Sequence, residues 1–317
     1  DRAERPGGMM RAYIPEYRLP DRIIDNDLEW IHGKGVEFEV GSEAPSMERL
    51  RADFDAVIIA AGTHRSLRLG IEGEDAPGVM DPLDMLSRAK SRDLVSMKGD
   101  ILVLGGGNTA IDCARTAVRL GGKVTIAYRR TRDEMPASPE EVREALEEGV
   151  EILTLQVPKR VVTGGPYGSV TGVEFLTAEP GEPDGSGRRR PVPVEGTEHT
   201  IDADVVLPAL GQATDTSFME TLGIELTKNG RGKTDERNMS SLEGVFGAGD
   251  VVTGPTSIVD AMGNAHVTAR GVHSWLRKVP VEDDGAVPML AVKGPVRRAP
   301  GASGERHNPL LSPPEGR

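Results

Sequence analysis

The chain has 317 residues, 37% of them apolar and 28% charged, with a net charge of −12, which is long enough for two packed domains of a soluble globular protein. The acidic balance argues against general nucleic-acid binding, no apolar run approaches the ~20 residues that cross a bilayer, and the opening Asp1-Arg2-Ala3-Glu4 is no signal peptide, so a cytoplasmic protein with no membrane insertion is expected. The lone Cys113 excludes an intrachain disulfide, a CxxC redox pair and a four-cysteine iron-sulfur site made by this chain alone, and six histidines without HxH or HxxxH spacing predict no metal site.

In chain order, apolar runs bounded by glycine predict strands at residues 56–61 (AVIIAA), 101–104 (ILVL), 124–127 (VTIA), 152–155 (ILTL) and 205–210 (VVLPAL). Helical patterns between some of them predict an α/β fold with a parallel sheet covered on both faces. The clearest helix is expected over 108–120, with Ala110, Ile111, Ala114, Ala117 and Val118 on one stripe and Gly121-Gly122 closing it. Cys113 lies at the edge of that stripe and reads as a small packing residue. A second helix is expected from Ser138 to Gly149: Ser138 supplies the cap, Pro139 the first helical position, and Glu141 the partner of a capping box. Its glutamates at 140, 141, 144, 147 and 148 read as a solvated face. Residues 161–204 are rich in Gly, Pro and Thr, and "PGEPDGSGRRRPVPVEG" reads as a loop between short antiparallel strands. From about residue 281 prolines and glycines without periodicity predict a disordered tail.

Between the predicted strand at 101–104 and the helix after it lies Gly105-Gly106-Gly107-Asn108-Thr109-Ala110, a GxGxxA turn. Gly105 makes the tight turn, Gly107 lets a pyrophosphate approach the backbone, Ala110 allows close helix–strand packing, and the helix N-terminus offers amide groups to the phosphates. An NAD site needs an acidic residue at the end of the next strand. Here that strand runs into Arg129-Arg130, two guanidinium groups suited to the 2′-phosphate of NADP, so NADPH is expected over NADH.

Two further segments, "DFDAVIIAAGTHRS" at 53–66 and "GVFGAGDVVTGPTSIVDAMGNAHVTARGVHSWL" at 244–276, resemble the flavin-side motifs of FAD-dependent pyridine-nucleotide oxidoreductases. In such a motif Asp250 reaches a ribityl hydroxyl, and a helix starting near Thr256 aims its positive end at the flavin. The resemblance narrows at "PGGMMRAYIPEYRLP" (6–20), "GGGNTAIDCARTAVRLGGKVTIAYRRTRDEMPA" (105–137) and "GEPDGSGRRRPVPVEGTEHTIDADVVLPALGQ" (181–212). All three are similar to the small subunit of NADPH-dependent glutamate synthase, and more distantly to part of dihydropyrimidine dehydrogenase and to NADPH:ferredoxin-type transhydrogenase subunits.

The resemblance implies two Rossmann-like, three-layer dinucleotide-binding domains, with the NADP domain (98–235) inserted into an FAD domain made of 1–97 and 236–280. It implies that Arg18, Gly249, Asp250, Thr256 and Ser257 contact FAD and that Asn108, Thr109, Arg129 and Arg130 contact NADPH. Hydride would pass from NADPH to the flavin with no catalytic side chain, and electrons would leave through iron-sulfur clusters, held in a missing domain or a partner, to an electron-accepting subunit. Relatives carry a first FAD fingerprint within a βαβ unit, and a cysteine-rich domain, ahead of the residue matching Asp1. The chain is therefore expected to be truncated at its N-terminus, with an incomplete FAD site and weak flavin binding or none. The competing reading is a non-catalytic fragment or interaction module that retains only the NADPH site.

Overall fold

The computed structural model describes residues 1–185 and 187–281, so the predicted tail lies, past Val281, outside the described residues. In chain order the helices and strands are α1 Gly8–Ala12, α2 Asp21–His32, α3 Met47–Asp53, β1 Val57–Ile59, β2 Arg65–Ser66, α4 Pro82–Lys90, β3 Asp100–Leu104, α5 Asn108–Arg119, β4 Lys123–Tyr128, α6 Pro139–Glu147, β5 Glu151–Thr154, β6 Gln156–Thr163, β7 Val170–Pro183, β8 Arg189–Pro193, β9 His199–Asp202, β10 Val205–Pro208, β11 Gln212–Ala213, α7 Thr216–Thr221, β12 Val245–Gly247, α8 Asp250–Thr253 and α9 Ile258–Arg277. They fall into two compact units, one of Asp1–Ala44 with His64–Ala213 and one of Pro45–Thr63 with the described residues from Thr214 to Val281.

The first unit is built on a parallel sheet of order β10-β3-β4-β5, with Ile101 opposite Val205 on one side and Val124 on the other. β3 is buried along Ile101–Leu104, because both faces of the sheet are covered. Ile101 and Val103 pack with Met85 of α4 and Ile111, Ala114 and Ala117 of α5. Leu102 and Leu104 face the other way, onto Val161, Val173 and Phe175. The second cover is therefore an antiparallel sheet of β6, β7, β8 and β9. The segment read as a loop, 180–196, in fact supplies the end of β7 and all of β8, paired from Ala178↔Pro193 to Pro183↔Arg189 with an irregularity between. Its prolines are tolerated because a hairpin arm tolerates missing N–H donors at its edge.

The expected second helix runs over Pro139–Glu147 with Pro139 in its first turn, but the capping box is not formed and Ser138 makes no side-chain cap. Glu141 turns instead to Arg115 and Arg18. The solvated face is also corrected: Glu140 and Glu147 are exposed, while Glu141, Glu144 and Glu148 turn inward onto Arg115, itself 2% exposed. A buried guanidinium needs opposite charge around it, and the helix register delivers three carboxylates to it. Cys113 is fully buried, as its place on the stripe predicted.

In the second unit β1 pairs in parallel with β12, Val57 to Val245 and Ile59 to Gly247. Met47, Ile59, Met219, Leu222, Val245 and Val251 form its core. The long helix α9 is tied beside β12 by Thr268, whose hydroxyl donates to the Gly247 carbonyl at 2.9 Å and accepts from Asn238 at 2.9 Å. Among the described residues no helix is long and apolar enough to cross a membrane.

Candidate functional site

The glycine-rich turn sits at the C-terminal end of β3, where open parallel sheets place ligands. Gly105 has φ +140, and a Cβ there would stand 2.2 Å from the Ala209 carbonyl oxygen, so the position admits glycine alone. Gly106 is buried beneath Tyr128, whose ring a Cβ would meet at 2.6 Å. Gly107 differs: its φ is −92 and nothing lies within 4 Å of where a Cβ would be. That open side is what close approach by a pyrophosphate requires. Helix α5 then starts without a side-chain cap, which leaves its positive end to a ligand. Asn108 and Thr109 flank this end; the Asn108 side chain accepts from Ser138 N at 3.2 Å and Thr109 Oγ1 accepts from Gln212 Nε2 at 3.4 Å. Ala110 is fully buried against the sheet.

At the end of β4 the two arginines part company. Arg129 is exposed and carries no ion pair among the described residues. Arg130 is buried; its Nη2 lies 2.5 Å from Asp184 Oδ2 and its Nε donates to the Arg189 carbonyl at 2.9 Å. Just beyond, Thr131–Glu134 closes into a single 3-10 turn with a capping box. Glu134 accepts from the Thr131 hydroxyl and amide and from the Arg189 amide, at 2.6 Å for the last. The Thr131 hydroxyl first, and then the Arg189 N–H, hold the Glu134 carboxyl down at about 2. Tyr128 adds a bond from its hydroxyl to the Glu134 carbonyl at 2.8 Å. Nothing in the periodicity marks Glu134, Asp184 or Tyr128 as partners of this loop, because each meets it through backbone groups or from a distant hairpin.

Arg18, expected on the flavin side, is placed in the first unit with its Nη1 2.9 and 2.8 Å from the two Asp112 oxygens and its Nε 3.2 Å from Glu141. Burial raises the Asp112 carboxyl to about 6 against the pull of Arg18.

In the second unit Gly249 adopts φ 69, ψ −149, a conformation that favours glycine, and its N–H donates to Asn264 Oδ1 at 2.8 Å. Asp250 follows directly. Its Oδ1 accepts from the Thr256 hydroxyl at 2.9 Å and from the Thr256 amide at 3.3 Å, which leaves Oδ2 as an oriented acceptor. Ser257 caps α9 with Asp260 in a reciprocal box. The structure thus brings Gly249, Asp250, Thr256 and Ser257 together. The helix starts at Ile258, two residues later than the motif led us to expect, because Thr256 is engaged on Asp250. No group of three or more His, Cys, Asp or Glu is placed to hold a metal ion among the described residues.

Comparison with known proteins follows the same lines. A family model described as pyridine nucleotide-disulphide oxidoreductase matches residues 22–265. The chain is 40% identical to the NADPH-Fe(3+) oxidoreductase subunit beta of Geobacter sulfurreducens, over 86% of this chain and 45% of that protein. It is 36% identical to the glutamate synthase (NADPH) small chain of Escherichia coli, over 87% of this chain and 62% of that one. The chain therefore spans about half the length of the curated relatives it matches. Among solved structures, FprA from Mycobacterium tuberculosis in complex with NADPH shares the fold at a TM-score of 0.73 and 18% identity, over 87% of this chain and 77% of that one.

Proposed function

The chain belongs to the pyridine nucleotide-disulphide oxidoreductase family, and from that premise we propose that it takes hydride from NADPH for a bound FAD and feeds the electrons to iron-sulfur clusters or a partner subunit in the cytoplasm. The observation that carries this reading is the turn at Gly105–Gly107, shaped by Gly105 and left open at Gly107, beside an exposed Arg129 at the end of the next strand. We assign the pyrophosphate to Gly105, Gly107, Asn108 and Thr109 and the 2′-phosphate to Arg129, with Arg130 in support. On the flavin side, Asp250 held by Thr256 fits a polyol hydroxyl, and Gly249 and Ser257 shape the turn that carries it. FAD, when bound, supplies a ring that accepts a hydride and releases electrons singly. The chain's own residues orient the two cofactors, exclude water and set the local field through helix and amide dipoles. A partner is supported by the names of both curated relatives, which are a subunit and a small chain.

The domain reading goes with this proposal: 98–235 binds NADPH, while 1–97 and 236–280 serve FAD. The test is a titration of the purified chain with NADPH and NADH, followed by reduced-nicotinamide fluorescence, together with flavin absorbance and NADPH-dependent reduction of ferricyanide after adding FAD. NADPH preference is expected of the chain, and FAD-dependent turnover of a protein containing all of its FAD-side segments. Equal affinity for the two nucleotides would refute the NADPH assignment, and NADPH binding without turnover in a protein containing all of its FAD-side segments would refute the oxidoreductase reading.

A further inference from the structure

The β7–β8 hairpin carries the run Arg188-Arg189-Arg190, and its tip does not stand free. Three contacts fasten it to the end of β4: Arg130 Nε on the Arg189 carbonyl, Arg130 Nη2 on Asp184, and the Arg189 amide on Glu134. Within the tip, Asp184 N bonds the Arg188 carbonyl at 2.8 Å and Gly187 N the Asp184 carbonyl at 2.9 Å, so the turn is closed on itself as well. All three fastenings fall on the loop that begins with Arg129. The Arg189 side chain lies on the same side as Glu134, its Nε 3.5 Å from that carboxylate, and remains 49% exposed.

Arg130, itself buried, would have to abandon its Asp184 partner to reach a ligand, which leaves a buried charge uncompensated. Arg189 would abandon little, since an ion pair at 3.5 Å with the arginine half exposed is weak. In a chain of net charge −12, phosphate recognition must come from a local gathering of cations. The hairpin brings Arg189 to the loop that begins with Arg129, through its bonds to Arg130 and Glu134.

Resting on the NADPH reading above, we propose that the β7–β8 hairpin is a cofactor-specificity element: Arg189 joins Arg129 on the 2′-phosphate, and Arg130 is a positioning residue that holds the hairpin tip in place through Asp184. The two forked guanidinium groups would approach the phosphate from different segments of chain, the loop after β4 and strand β8, a geometry in which charge-assisted bonds add.

The test uses the full chain and two probes, 2′,5′-ADP, which carries the 2′-phosphate, and 5′-AMP, which lacks it, each titrated calorimetrically. The wild type is expected to prefer 2′,5′-ADP. Arg189→Ala should weaken 2′,5′-ADP about tenfold while leaving 5′-AMP within about twofold, and Arg189→Lys should recover part of the loss. Asp184→Ala should lower the same preference without touching 5′-AMP, a selective effect that general destabilisation would not produce. If Arg189→Ala leaves the preference intact while Arg129→Ala abolishes it, the hairpin proposal is overturned and the NADPH reading stands. If the wild type shows no preference, the NADPH reading fails and takes the hairpin with it.

Discussion

Glu148→Gln should reveal how much the inward face of α6 contributes to stability. Glu148 accepts four bonds, from Arg115 at 3.1 and 2.7 Å and from Arg119 at 3.1 and 2.7 Å. These guanidinium groups also cover the Tyr17 ring, at 4.7 and 3.6 Å from its centre. Against the cost of burial, Arg119 and Arg115 hold the Glu148 carboxyl down from 4.5 to about 2. At about 1.4 kcal/mol per unit this is worth roughly 3 kcal/mol, and solvent screening on the open side of the cluster reduces it to about 2. Because the folded value lies below the unfolded one, the contribution is complete above pH 4.5 and is lost as pH falls toward 2. Urea unfolding at 25 °C should show the variant about 2 kcal/mol less stable at pH 7, a fall of roughly 4–8 °C in Tm for a unit of this size. The penalty should drop to less than about half at pH 3. An equal penalty at both pH values, or one below about 0.5 kcal/mol at pH 7, would refute the reasoning.

Asp112 has the opposite sign: burial lifts its carboxyl from 3.8 to about 6, so its contribution is full below about pH 4 and is lost as pH rises through 6. Asp112→Asn should flatten the stability profile across that window in the same denaturation assay. Gly105→Ala should destabilise the first unit by about 3 kcal/mol or more, since φ +140 and the Ala209 carbonyl both oppose a Cβ. Gly107→Ala, facing open space, should keep the melting temperature within about 2 °C yet weaken NADPH binding measured by nicotinamide fluorescence. Cys113, fully buried with its thiol pushed well up by that burial, should resist a maleimide in the native protein and react once urea unfolds it.

Local patterns in the sequence were enough to specify the strand–glycine turn–helix unit, because its determinants lie within a few residues of one another. An apolar run, a glycine forced to φ +140 and an alanine-lined helix face are all legible in 101–120. The same holds for Gly249-Asp250 and the cap at Ser257, where each bond spans fifteen residues or fewer. Tertiary structure decided what those patterns could not. Glu141, Glu144 and Glu148 are written as a charged helix face, and only the arrival of Arg115 from α5 turns them inward. Arg129 and Arg130 are adjacent and chemically identical, yet Asp184, 54 residues away in the chain, claims one and leaves the other exposed. Composition reports which charges a chain carries, but their roles depend on whether a partner of opposite sign is brought to them. For Arg130 that partner comes from a hairpin the sequence presents as a loop.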